Sequence, residues 1–198
     1  MTADIHLGFS NPSPGTGYYL NNVAVDPDTN MVYAIGCRQG GLSCNALLSI
    51  ANGTGLYVAA KVYLNASAPS MAINSMTDVV YVAAEGELMA LNGTNGHVIF
   101  DVSPQQCGPF PGTIVVLSSN QVILVPQNTD YVMIYDGASG QLVSMYSLSS
   151  SPRNVQYSPV SNDLYLTTLG HVLIFPYFDI GSGAFAGVTS STLQCPPI

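Results

Sequence analysis

Between residues 69 and 103 the chain alternates short apolar runs with turn residues. The runs Met71–Ile73, Val79–Ala84, Leu88–Leu91 and His97–Val102 are of strand length. They are separated by Asn74-Ser-Met-Thr-Asp78, Glu85-Gly86-Glu87 and Asn92-Gly-Thr-Asn-Gly96, which are rich in hairpin-closing residues. The second run, Val79-Val-Tyr-Val-Ala-Ala84, is apolar at every position. A strand with one wet face would alternate, so this one is expected to be buried on both sides. Val122-Ile-Leu-Val125 reads the same way, whereas His97-Val-Ile-Phe-Asp101 and Gln141-Leu-Val-Ser-Met145 are mixed, as outer strands should be. No segment shows helical periodicity with caps.

The pattern repeats. Val80-Tyr81 corresponds to Val32-Tyr33 before it and to Val122-Ile123 and Leu164-Tyr165 after it, at intervals of 48, 42 and 42 residues. A second marker follows in phase: Ala51-Asn-Gly-Thr-Gly55, Leu91-Asn-Gly-Thr-Asn-Gly96, Tyr135-Asp-Gly-Ala-Ser-Gly140 and Asp179-Ile-Gly-Ser-Gly183. The first repeat is lengthened by an insertion at Gly36–Cys44. A period in the low forties, each unit a four-stranded meander, matches a propeller blade. The expected fold is therefore all-β: a β-propeller of about four four-stranded antiparallel blades, closed or part of a larger ring. A β-sandwich or β-solenoid is the alternative. The blades are expected at residues 18–64, 66–104, 108–149 and 150–191, with a tail at 192–198. Residues 1–17 precede them as a strand (Ile5–Phe9) or tail.

The segments Ala24-Val-Asp-Pro-Asp-Thr-Asn-Met-Val-Tyr33 and Ala72-Ile-Asn-Ser-Met-Thr-Asp-Val-Val-Tyr-Val82 resemble the YVTN-type β-propeller repeats, and Val155–Tyr165 is a looser copy. The third repeat departs furthest, lacking both the Pro-x-Thr and the Tyr. The resemblance covers about residues 18 to 183 and implies blade architecture. Families of this kind include surface-layer proteins, enzymes and binding modules, so fold analogy does not choose among functions.

Composition narrows the choice. Only 7% of the 198 residues are charged, against about 25% in typical globular domains. No apolar run approaches the ~20 residues of a spanning helix, so no membrane insertion is expected. The surface must be solvated by neutral polar residues or by groups attached to them. The net charge of −8 includes only three bases, Arg38, Lys61 and Arg153, too few for nucleic acid or an anionic membrane. Cys37, Cys44, Cys107 and Cys195 contain no C-x-x-C pair. A Cys37–Cys44 bridge would close the inserted hairpin tip. Cys107 and Cys195 would then pair with each other or with another chain, and three connectivities stay open. Asn52, Asn65 and Asn92 head N-glycosylation sequons, although Asn-Gly is equally hairpin chemistry. Sequons, even cysteines and scarce charge point to a secreted protein. The start, MTADIHLGF, has no signal peptide, so a mature or excised portion of a longer chain is expected.

No catalytic, cofactor-binding or metal-ligating residue is assigned. Asp26-Pro-Asp-Thr-Asn30 begins like a calcium loop, but Met31 and Cys37 stand where glycine and a bidentate glutamate are needed. Asp26 and Asn30 are instead expected to cap backbone amides. His6, His97 and His171 are isolated, and Glu85 and Glu87 read as solvated turn residues. Tyr33, Tyr81 and Tyr165 are expected in the core between blades. The expected function is a non-enzymatic extracellular glycoprotein module of surface structure, adhesion or fibre assembly. Its open end blades would be covered by further copies or partner chains, and N-linked glycans would decorate it. The alternatives are a ligand-binding or enzymatic propeller with Asn22, Arg153 and Asn154 at its axial channel, or a lectin.

Overall fold

The structure is a computed structural model and describes residues 18–38, 45–64, 70–84, 87–103, 112–126 and 129–175. The first sheet contains β1 (Tyr18–Asp26), β2 (Met31–Arg38), β3 (Asn45–Asn52) and β4 (Tyr57–Leu64). The second holds β5 (Ser70–Asn74), β6 (Val79–Ala84), β7 (Glu87–Asn92) and β8 (Val98–Val102). The third holds β9 (Gly112–Val116), β10 (Gln121–Pro126), β11 (Tyr131–Asp136) and β12 (Leu142–Ser147). The fourth, as far as it is described, holds β13 (Asn154–Ser158), β14 (Asp163–Thr168) and β15 (His171–Phe175). Each sheet is an antiparallel meander in chain order.

The fold is the expected all-β arrangement, with successive sheets stacked face to face. The first strands form the inner row: β1 lies beside β5, β5 beside β9 and β9 beside β13. No comparable contact joins β13 to β1 among the described residues. The segment expected as the last strand, Ala184–Thr189, lies outside those residues, as do the candidate strand Ile5–Phe9 and the 192–198 tail.

Alternation along the second strand of each sheet builds the core. Val80, Val82 and Ala84 of β6 meet Tyr33, Ile35, Leu48 and Ile50 of the first sheet. Tyr81 and Ala83, on the other side of β6, meet Val122, Leu124 and Met133 of the third. Ile123 and Val125 of β10 then face Leu164 and Leu166 of the fourth. Each central sheet is thus dry on both faces, as the uninterrupted apolar runs require. The outer strands are mixed: β8 and β15 alternate exposed and half-buried positions. The long first repeat is accounted for in part by its central hairpin, in which β2 and β3 have eight residues each while β6 and β7 have six.

Candidate functional site

In every sheet the residue before the second strand is left-handed: Asn30 (φ 55°), Asp78 (φ 52°), Asn120 (φ 60°) and Asn162 (φ 59°). Asn and Asp bear this conformation at low cost. Asp26 caps as expected, accepting from the Asp28 amide at 3.0 Å and Thr29 Oγ1 at 2.8 Å, and the Asn30 side chain donates through Nδ2 to Thr54 Oγ1. The left-handed residue turns its carbonyl towards a glycine in the third-to-fourth-strand turn. Gly53 N donates to Asn30 O (2.9 Å), Gly93 N to Asp78 O (2.7 Å) and Gly137 N to Asn120 O (2.8 Å).

This paired turn is a socket for the preceding sheet's tyrosine. A Cβ on Gly137 would lie 2.6 Å from Tyr81 Oη, and one on Gly93 would lie 2.7 Å from Tyr33 Oη. Only glycine leaves room for the phenol. Tyr81 Oη donates to Gly137 O at 2.8 Å and lies 3.1 Å from Asn120 Oδ1, which also accepts from Asn74 Nδ2 at 2.6 Å. Tyr33 Oη enters the equivalent place beside Asp78, where it and Asp78 Oδ1 are both buried without a hydrogen bond of good geometry. Burial, then the charges of Asp78 and Asp26, push the Tyr33 phenol up to about 12. Burial and the charge of Asp136 do the same to Tyr81.

At the third junction Ile123 stands where the tyrosine would be and has no hydroxyl to offer. Asn162 Oδ1 accepts instead from Tyr157 Oη of its own sheet (2.6 Å), and the same phenol lies 2.9 Å from Ser118 Oγ of the preceding one. Tyr165 departs from its expected place in the core. It is half-buried, and among the described residues its hydroxyl reaches Asp163 Oδ2 of its own strand, at 3.3 Å.

A groove of about 500 Å³ runs along the inner row, lined by residues that include Met71, Asn74, Ile114, Ser118, Gln156 and Tyr157. Among the described residues no charged side chain lines it. The channel candidates Asn22, Arg153 and Asn154 are not among its lining residues; Arg153 and Asn154 are exposed at the start of β13. Among the described residues no group of three His, Cys, Asp or Glu side chains could hold a metal ion. His97 and His171 are exposed, and His6 and Glu85 lie outside the described residues.

Two of the sequon asparagines, Asn52 and Asn92, open third-to-fourth-strand turns. Asn52 Oδ1 accepts from Gly55 N at 2.6 Å, and Asn92 Oδ1 from the Thr94 and Asn95 amides at 3.1 and 3.0 Å. Asp136, at the same position in the third sheet, accepts from the Ala138 and Ser139 amides at 3.2 and 2.8 Å. The Ser139 hydroxyl and amide hold its carboxyl below the usual range. A shared turn role therefore explains this position whether it is Asn or Asp. Cys37 is disulfide-bonded. Cys44, Cys107, Cys195 and Asn65 lie outside the described residues.

No family model matches the sequence, and no curated protein matches it. Solved structures do. The WD40 domain of coronin from Toxoplasma gondii superposes with a TM-score of 0.64 at 13% identity, over 80% of this chain and 42% of that one. The fold is a β-propeller. The β-propeller domain of Cps50 (Swd1) from Myceliophteria thermophila gives a TM-score of 0.59 at 14% identity, covering 83% of this chain and 52% of its own. BamB from Moraxella catarrhalis gives 0.56 at 14% identity, over 78% and 41%. This propeller chain spans about half or less of each of those proteins. The specific resemblance to YVTN repeats rests on the sequence segments alone.

The socket escaped the sequence reading, although its signal was present. Asn30, Asp78 and Asn162 each stand three residues before a repeat tyrosine, and a glycine recurs at 53, 93 and 137.

Proposed function

We propose that this chain is a non-enzymatic propeller module that works through its blade faces, in surface structure, adhesion or assembly outside the cell. The observation that carries this reading is the state of the terminal sheets. Val172 and Ile174 are 59% and 56% exposed on the outer side of the fourth sheet; on the first sheet Val23 and Val25 of β1 are 48% and 56% exposed, while Ala34, Leu47, Ser49 and Ala51 on the same side are buried. Apolar patches that end a stack mark contact surfaces. Among the described residues, the groove along the inner row, where a propeller enzyme would gather its charged groups, is lined by neutral side chains. Scarce charge, the disulfide at Cys37 and the three sequons support placement in an oxidising, secreted environment, with glycans on Asn52, Asn65 or Asn92. Native mass of the secreted protein, before and after deglycosylation, tests this. An assembly larger than one chain that loses mass with its glycans is expected; a bare monomer overturns the reading.

A further inference from the structure

The outer side of the first sheet, turned away from the second, is covered along its middle and bare along its margins. Cross-strand pairing places Val23, Ala34, Ser49 and Lys61 in one row on this side, with Val25 and Ala51 to one side of it and Leu47 and Tyr63 to the other. In the middle strands β2 and β3, Ala34, Leu47, Ser49 and Ala51 are no more than 1% exposed. In the flanking strands β1 and β4, Val23, Val25, Lys61 and Tyr63 are exposed. Alanines and a serine on a bare sheet face would touch water, so something lies on them. It is not the second sheet, which meets Tyr33, Ile35, Leu48 and Ile50 on the opposite side. Ala34, Leu47 and Ala51 belong to none of the apolar clusters that join the described sheets. The cover is also narrow. A further blade would bury β1 and β4 as well, whereas a single strand would dry only the trough over β2 and β3. From Leu47 to Ala51 that trough is about 13 Å long.

We propose that residues 5–9 of the same chain lie along this trough as a single strand and cap the stack. Their sequence, Ile5-His-Leu-Gly-Phe9, is apolar at every second position. That is the pattern of a strand with one dry face, Ile5, Leu7 and Phe9, and one wet face, His6 and Gly8. Five residues span about 13 Å, the length of the trough. The small side chains of Ala34, Ser49 and Ala51 leave room for the three large ones. Connectivity agrees with size. Residues 1–17 run directly into β1 at Tyr18, the strand bordering the trough. The linker from Phe9 to Tyr18 can reach up to about 30 Å, enough to turn back across β1. Of the other stretches outside the described residues, 39–44 offers one large apolar side chain, Leu42, and 65–69 offers none. Residues 85–86, 104–111 and 127–128 link strands of the second and third sheets, and 176–198 leave from β15 at the far end of the described stack. A stack of repeats needs an end with a polar outer face, and His6 with Gly8 supplies one.

A photoreactive benzoylphenylalanine in place of Phe9 tests this in the full chain. On irradiation it should cross-link to peptides within residues 31–52 of the same chain, located by mass spectrometry after proteolysis. Ser49→Cys gives a second reading. Its thiol should react slowly with a maleimide, as followed on the peptide carrying position 49. Adding Leu7→Asp, which sets a carboxylate in the dry face of the cap, should raise that rate about tenfold or more, because a covered site reacts only in molecules that open. Far-UV circular dichroism checks that the double variant keeps its sheets; where it does not, the cross-link alone decides. Cross-links that miss residues 31–52, cross-links that join two chains, or an unchanged thiol rate in a folded double variant overturn the proposal. None of these outcomes bears on the fourth sheet's outer side as a contact surface, which native mass decides separately.

Discussion

Tyr81→Phe and Tyr33→Phe delete the same atom from equivalent positions, yet their effects should differ. Tyr81 Oη makes a 2.8 Å hydrogen bond to Gly137 O in a buried junction. Its loss removes about 1 kcal/mol of net hydrogen bonding and leaves a carbonyl short of a donor, so a cost of about 1–2 kcal/mol is expected. Asn120 Oδ1 limits the damage, because Asn74 Nδ2 still reaches it at 2.6 Å. Tyr33 Oη is buried beside the Asp78 carboxylate with no partner of good geometry. Removing an unsatisfied buried hydroxyl should be neutral or stabilising by up to about 1 kcal/mol. Urea denaturation of both variants and the wild type at one protein concentration reads the difference as a shift in midpoint at constant slope. Equal losses at the two sites would refute the claim that the phenols are held differently. So would a larger loss at Tyr33.

Gly140→Ala should destabilise by about 2 kcal/mol, since φ is +71° and the new Cβ would sit 2.7 Å from the Phe100 ring; a thermal melt measures it. Leu56 holds the corresponding left-handed position in the first sheet (φ 55°) and is exposed, so Leu56→Gly should raise stability by about 0.5–1 kcal/mol in the same assay. Asp136→Ala should cost about 1 kcal/mol by urea denaturation and Asp136→Asn much less, because the asparagine oxygen can still accept from the turn amides. With pH, the buried phenols of Tyr33, Tyr81 and Tyr131 are raised from 10 to about 12. Stability should therefore be full below pH 10 and fall between 10 and 12, by roughly 2 kcal/mol per phenol. At the acid end, hydrogen bonds hold Asp26 and Asp136 below the usual range. Their contribution is present above about pH 4 and lost as pH drops further, read by pH-dependent denaturation.

Much of the architecture could be read from apolar patterning, because two-sided burial leaves a plain trace. Val79–Ala84 and Val122–Val125 have no polar position, and both are sandwiched between sheets. The turns were equally legible, since Asn52, Asn92 and Asp136 must bond their own loops. Edges were harder. β1 begins at Tyr18, ahead of any apolar run, because an inner edge strand keeps its ladder through Leu20 and Asn22 without burying them. The fate of Tyr165 was illegible for a different reason. Its repeat is like the others, and only the open face of the last described sheet separates it from Tyr33 and Tyr81. Whether a repeat residue is buried depends on the neighbour packed against its blade, which one repeat's sequence does not encode. The carboxylate-free groove is a property of three strands together and was likewise invisible one segment at a time.

The phenol-and-turn junction is directional, and that has a consequence for how such a chain can change length over evolutionary time. A tyrosine on one side and a turn on the other make each of the first two blades a tongue-and-groove plank, able to join its neighbour in one order only. Duplicating or deleting a whole plank leaves the chemistry of each remaining seam unaltered, so the number of blades can drift while the seam is preserved. Substituting the tongue at one seam, as Ile123 does, is tolerated where a nearby phenol such as Tyr157 fills the groove from the other side.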